Sequence, residues 1–304
     1  VNADASQRFT RYASQIFPVY LFVTVFLIVA LLIAGDRTLV AVSHAMSIIS
    51  TSGISPVGGL EGSSSGYWGE FLMFLFLFLA VSRHTFFCAT DPEAMQSLKM
   101  DKEINLVLIC IIVIPILLFA RHWTTTFEGI NDDNAITAIV AFWGSVFTVL
   151  SFLSTTGFES AAWTSAQNWS GLGTTGVILM ALAIMGGGIA TTAGGVKLLR
   201  VYTLYKHGRR EIQRLTYPNA IFRSSSRARK KNREGAQIAW IFLMLFVLSL
   251  ALVALALSVT GISFSDSLVF ATAGLSNTGP LAHAAGESFT SYANISDTGK
   301  AILC

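Results

Sequence analysis

Three near-copies of one tetrapeptide recur along the chain: Ser50-Thr51-Ser52-Gly53, Ser154-Thr155-Thr156-Gly157 and Ser276-Asn277-Thr278-Gly279. Each closes a short apolar segment and opens into a stretch containing Gly, Ser or Pro. Glycine allows a backbone to turn its carbonyls toward an axis, and small hydroxyl residues leave a bore open while adding oxygen ligands. Such loops suit a cation path in which carbonyls replace the ion's hydration shell. No tetrapeptide holds an acidic residue; Glu159 comes two positions after Gly157. The residues expected to face the cation are Thr51, Ser52, Gly53, Thr155, Thr156, Gly157, Asn277, Thr278 and Gly279. Turns in an ordinary helical bundle are the competing reading, but three copies in one apolar frame form an internal repeat.

A second stretch, Met185-Gly-Gly-Gly-Ile-Ala-Thr-Thr-Ala-Gly-Gly-Val-Lys197, packs five glycines and two threonines into ten residues, which disfavours regular helix. A dinucleotide loop would need a strand before it, and a helix-length apolar run stands there instead. A helix-packing face of small residues is one option. The other is a helix broken at mid-membrane, tolerated only beside an aqueous path. On that reading Gly186, Gly187, Gly188, Thr191, Thr192, Gly194 and Gly195 form a flexible loop beneath the tetrapeptides. Lys197 and Arg200 follow, placed to snorkel or to set the field at the inner mouth.

The elements that would position these loops are apolar. The chain of 304 residues is 53% hydrophobic and 12% charged, against roughly 25% charged in soluble domains. Its mean hydropathy is +0.62. A multi-span, all-α membrane protein is expected. Spanning helices need about 20 apolar residues, and the candidates are Ile16–Ala34, Trp68–Phe87, Ile104–Ala120, the broken segment Gly171–Tyr205, and Ala236–Val259. Thr38–Ile49 and Ser265–Leu275 are too short to span. Ala135–Leu153 is long enough but ends as they do, in a tetrapeptide. These three are expected to be re-entrant pore helices whose C-terminal dipole ends favour a cation.

Ten of the 20 Lys and Arg lie between Lys206 and Arg233, which places that stretch in the cytoplasm. The tetrapeptides then face outside, together with Asp36, Glu61, Glu128, Asp132, Asp133, Glu159, Asp266 and Glu287. Arg83 reads as an interfacial arginine at a helix end. Cys88, Cys110 and Cys304 have neither metal-ligand nor disulfide spacing. His44, His84, His122, His207 and His283 are isolated, and no His/Asp/Glu cluster suggests an enzyme. The chain opens on Val1 and closes at Cys304 as a new apolar run begins, so a fragment of a longer protein is expected.

The stretch Gly186 to Arg200 resembles the signature of the TrkH/TrkG/KtrB family of potassium-uptake subunits. Ser154-Thr-Thr-Gly-Phe158 resembles the family's third filter, Gly274-Leu-Ser-Asn-Thr-Gly-Pro280 its fourth and Ser50-Thr-Ser-Gly-Ile54 its second; Val81–Phe86 matches loosely. The resemblance implies outer helix–pore helix–filter loop–inner helix units around one pseudo-fourfold pore. It covers family repeats two to four as residues 1–103, 104–235 and 236–304, with the first repeat and the last inner helix, which usually carries a pore arginine, missing. It implies that potassium is the substrate and the only metal, that no cofactor is bound, and that the glycine-rich break gates the path. The implied partners are a second copy in a homodimer, membrane lipid and a cytoplasmic ring of nucleotide-binding regulatory subunits, with no nucleic acid. The implied location is the cell membrane, as a multi-pass protein of the bacterial inner membrane. A sodium-permeable member of the same superfamily is the nearest rival; serine for the first-repeat glycine marks that type in plant relatives, and the position lies outside this chain. An alternating-access carrier is the rival of another class.

Overall fold

The computed structural model describes residues 5–81, 102–125, 133–170, 175–189, 191–217, 226–285 and 292–303. All regular structure among them is helical. The order is α1 (Ala5–Ile33), α2 (Thr38–Ser50), α3 (Gly66–Val81), α4 (Lys102–Thr125), α5 (Asp133–Leu153), α6 (Trp163–Ser170), α7 (Gly176–Met185), α8 (Leu198–Thr216), α9 (Ser226–Val259), α10 (Phe264–Ser276), α11 (Leu281–Ala285), a 3-10 turn (Tyr292–Asn294) and α12 (Asp297–Leu303). Arg83, His84 and Cys88 lie outside the described residues.

Three helices are long and apolar enough to cross a membrane, and their burial separates them into two kinds. The spans Ile16–Ile33 in α1 and Arg233–Val259 in α9 are each only 11% buried, whereas Ile136–Leu153 in α5 is 56% buried. On α9, Ile241, Leu245, Leu248, Leu252, Leu255 and Val259 are exposed at three- and four-residue spacing. An apolar stripe of that length suits contact with hydrocarbon. The helix α5 instead places Phe147, Val149, Leu150, Phe152 and Leu153 in the core. At 13 residues each, α2 and α10 reach about 20 Å, short of the roughly 30 Å hydrocarbon thickness.

The helices pack as recurring sets. In the first, α1, α2 and α3 all touch one another; in the second, α5 packs against α4 and α7; in the third, α9, α10 and α12 touch. Successive sets join where α3 meets α5 and where α7 meets α10. Short polar caps fix some of the entries. Asp36, just before α2, accepts the Ser65 N–H at 2.9 Å and the Ser65 hydroxyl at 2.9 Å, tying the start of α3 back to α2. Ser263 caps α10 by accepting the Asp266 N–H at 3.2 Å.

Several boundaries differ from the sequence expectation. The basic stretch is largely helical: α8 runs to Thr216 and α9 starts at Ser226, with Pro218 between them in the sequence. Arg, Lys and Glu are good helix formers, so charge ended the apolar run without ending the helix. The division expected after residue 235 therefore falls inside α9. Two short helices, α6 and α11, follow the second and third tetrapeptides.

Candidate functional site: three capped loops over a glycine-rich loop

The three tetrapeptides are built alike at the backbone. Their second residues, Thr51, Thr155 and Asn277, take left-handed conformations with φ of 52°, 61° and 58°. Each left-handed residue ends its pore helix. Thr51 N–H donates to Ile48 O and Ser52 N–H to Ser47 O; Thr155 N–H donates to Phe152 O and Thr156 N–H to Ser151 O; Asn277 N–H donates to Gly274 O and Thr278 N–H to Ala273 O. This is the paired 5→2 and 6→1 closure of a Schellman cap, usually made with glycine or asparagine. Left-handed threonine is strained, by about 1–3 kcal/mol.

The side chains repeat as well. The first and third hydroxyls of each tetrapeptide bond each other: Ser50 to Ser52 at 3.1 Å, Ser154 to Thr156 at 3.0 Å and Ser276 to Thr278 at 3.0 Å. The first serine also donates to its own helix, to Met46 O, Ser151 O and Thr272 O respectively.

The loops meet. A Cβ added to Gly53 would lie 2.1 Å from Thr156 O and 2.8 Å from Pro280 Cδ. One added to Gly157 would lie 2.7 Å from Thr278 Cγ2 and 3.2 Å from Pro280 Cδ. Both glycines have positive φ, 68° and 83°. Only glycine satisfies the conformation and the close approach together. Gly53 is thus covered by the second loop and Gly157 by the third. At Gly279 nothing lies within 4 Å of an added Cβ. The third loop also differs in its carbonyls. Thr278 O accepts the Leu281 N–H at 3.1 Å, and Gly279 O accepts the Ala282 N–H at 3.4 Å and the Tyr292 hydroxyl at 2.9 Å. Burial pushes the Tyr292 phenol up to about 12, which keeps it a donor.

Against the C-terminal ends of α2, α5 and α10 lies the glycine-rich loop. It is non-helical at the described residues from Gly186 to Lys197; Ala190 lies outside them. The Thr192 hydroxyl donates to Ile49 O at 3.2 Å and receives the Thr51 hydroxyl at 3.1 Å. Gly194 N–H donates to the Thr155 hydroxyl at 2.7 Å, and a Cβ at Gly194 would stand 1.9 Å from Ser276 O. One loop therefore touches all three tetrapeptides. Gly188 approaches Val81 O at the end of α3, and Thr191 donates to Gly188 O at 2.7 Å. Gly187 and Gly195 pack inside the same fold-back, where Val196 N–H returns to Ile184 O. Ile189 N–H donates to the buried Glu103 carboxylate of α4 at 3.0 Å.

Lys197 and Arg200 do not simply extend toward water. The Lys197 amine folds back onto Ala193 O, and the Arg200 guanidinium sits 3.8 Å from the Phe242 ring centroid. With Phe242 exposed, a cation–π contact of this kind is worth about 0.5–1 kcal/mol.

Several supporting residues were missed at the sequence level. His44, read as isolated, is fully buried on α2; its Nε2 lies 2.8 Å from the Ser55 hydroxyl, and its ring meets Phe158 at 5.4 Å. Glu70 is 2% exposed and accepts three hydrogen bonds around the second loop. A lone polar residue in an apolar helix is the signal that points to both. Glu159 is mostly buried at the outer side of Gly157. Burial pushes its carboxyl up, His283 opposes this and Glu61 adds to it. Among the described residues no group of His, Cys, Asp and Glu is arranged to hold a metal ion.

Repeated capped loops that meet at the ends of α2, α5 and α10, beside the long, exposed apolar helices α1 and α9, define an all-α membrane protein. The model of the TrkH family, described as cation transport protein, matches residues 94–304, and the chain belongs to that family. Its members are ion transporters rather than enzymes. Among similar proteins, the potassium uptake protein TrkH of Salmonella typhimurium is 28% identical over 90% of this chain and 54% of its own length. TrkH of Escherichia coli K12 is 27% identical over 93% of the chain and 56% of its own length. The crystal structure of the potassium transporter TrkH from Vibrio parahaemolyticus superposes with a TM-score of 0.79 at 21% identity, covering 97% of this chain and 61% of that one. The chain thus spans a little over half the length of these relatives.

Proposed function

We propose that this chain is part of a potassium-conducting subunit of a Trk/Ktr-type uptake system, placed in a bacterial inner membrane. Carbonyls of Thr51-Ser52-Gly53, Thr155-Thr156-Gly157 and Asn277-Thr278-Gly279 line the ion path, and Gly186–Gly195 obstructs it from below. The observation that carries this reading is the meeting of three identically capped loops with one glycine-rich loop. The negative dipole ends of α2, α5 and α10 point to that meeting place and favour a cation there.

The helix sets are read as repeats arranged around one pore. Gly53 is covered by the second loop and Gly157 by the third, while Gly279 is uncovered. A further loop seated against Gly279 closes the circle, in line with a pseudo-fourfold plan. The full transporter is read as a homodimer served by a nucleotide-binding cytoplasmic ring, and this rests on the family alone.

Uptake by the full-length protein in cells lacking their own potassium transporters tests the reading. Restored growth on low potassium, with potassium preferred over sodium in flux, is the expected result. Equal sodium and potassium fluxes would instead favour a sodium-permeable member of the same superfamily.

A further inference from the structure

Glu70 stands near the N-terminal end of α3, whose other residues are all glycine, aromatic or aliphatic apart from Met73. A carboxylate at such a place is costly unless donors surround it. Here the donors are present. Trp143 Nε1–H reaches Oε2 at 3.1 Å, the Ser160 hydroxyl reaches the same oxygen at 2.9 Å, and the Ala161 N–H reaches Oε1 at 2.7 Å. Three donors around two oxygens suit an ionised carboxylate, which only accepts. Charge-assisted bonds of this kind are shorter and stronger than neutral ones.

The donors flank one loop. Trp143 lies on α5, ahead of Ser154-Thr155-Thr156-Gly157, and Ser160 and Ala161 follow Gly157 by three and four residues. The bracket is closed by Ser160 N–H on the Thr148 hydroxyl at 3.3 Å and by Ala162 N–H on the Ser160 hydroxyl at 3.1 Å. Gly144 lets α5 come against Ala162, where a Cβ would stand 2.8 Å from the carbonyl oxygen. Glu70 itself comes from the preceding helix set. The other two loops are held by different chemistry: His44 to Ser55 at the first and the Tyr292 hydroxyl to Gly279 O at the third.

We propose that Glu70 is a specificity-determining positioning residue. From α3, its carboxylate grips the chain on both sides of the second tetrapeptide and so fixes the carbonyls of Thr155, Thr156 and Gly157. The inference rests on the cation-path reading given above. Glu70→Gln keeps the shape but sets an amide donor against the donors of Trp143, Ser160 or Ala161. Because Glu70 holds the chain on both sides of the second tetrapeptide, its loss alters the ratio of cations passed and not only the amount of transporter.

The test is competitive uptake of sodium, potassium, rubidium and caesium by the full-length protein, normalised to the amount in the membrane. Glu70→Gln is expected to shrink the potassium-to-sodium ratio on the order of tenfold, the scale on which one charge-assisted hydrogen bond changes an equilibrium. Ser160→Ala and Trp143→Phe each remove one bond and shift the ratio the same way by less. If Glu70→Gln does not accumulate, those two variants decide. Wild-type ratios in the variants, with only the membrane amount reduced, overturn the inference and leave the transport reading intact. A wild-type protein that takes up none of the four cations sinks the transport reading itself.

Discussion

A glycine pressed against a neighbouring loop is a strict requirement, and Gly157 shows why. Its φ of 83° and the Thr278 methyl 2.7 Å from an added Cβ exclude a side chain on two independent grounds. Gly157→Ser in the full-length protein is therefore expected to displace the second loop and weaken discrimination against sodium. Flux ratios measured with potassium and sodium in competition check this, and an unchanged ratio removes Gly157 from the selective site. The hydroxyls carry a second message. In the second and third loops the pair between the first and third tetrapeptide residues satisfies hydroxyls that are buried, where an unpaired one costs about 1–3 kcal/mol; the Ser50–Ser52 pair is half-buried. Serine and threonine in these positions are thus explained by the cap as well as by any contact with an ion.

The element that joins the loops is the glycine-rich stretch between α7 and α8. Its hydrogen bonds to the tetrapeptides, α2 and α4 include the Thr192 bonds to Ile49 and Thr51, the Gly194 bond to Thr155 and the Ile189 bond to Glu103. Each is a single hydrogen bond, worth about 0.5–1.5 kcal/mol net for neutral pairs and more for the one to a carboxylate. Glycine backbone changes φ and ψ at low cost, so the stretch is suited to swing aside. Deleting residues 187–195 from the full-length protein is expected to raise cation flux severalfold, provided the protein reaches the membrane. Flux and dependence on a regulatory partner equal to the wild type would reduce these glycines to a packing role.

At the scale of the whole molecule, charge and apolar surface are segregated. The exposed stripe of α9 suits lipid, and the same helix begins with the basic residues Arg227, Arg229, Lys230 and Lys231, whose side chains lie outside the described set. The backbone of this stretch is helical and continuous with a span. Neutralising all four is expected to weaken capture of an acidic cytoplasmic partner, by about 1 kcal/mol per charge if the contact resembles basic residues at an anionic surface. Co-purification with the regulatory ring at moderate salt measures it. Unchanged capture, with orientation preserved, would leave the cluster as a topology signal alone.

Much of this was legible in the sequence because hydropathy and glycine act locally. Apolar length marked the spans in α1 and α9, the tetrapeptides marked the ends of α2, α5 and α10, and five glycines marked the break after Met185. The re-entrant reading of α5 came from repetition, since its length alone allowed a span. Its burial at 56% against 11% for the lipid-facing helices is a property of its neighbours, and no run of residues encodes that. The basic stretch misled because charge was read as loop, although Arg and Lys prolong helices well. Glu70, His44 and Tyr292 stayed hidden for a different reason. Each acts on a residue outside its own element, Ser160, Ser55 or Gly279, and only tertiary packing brings the two polar groups within 3 Å of each other.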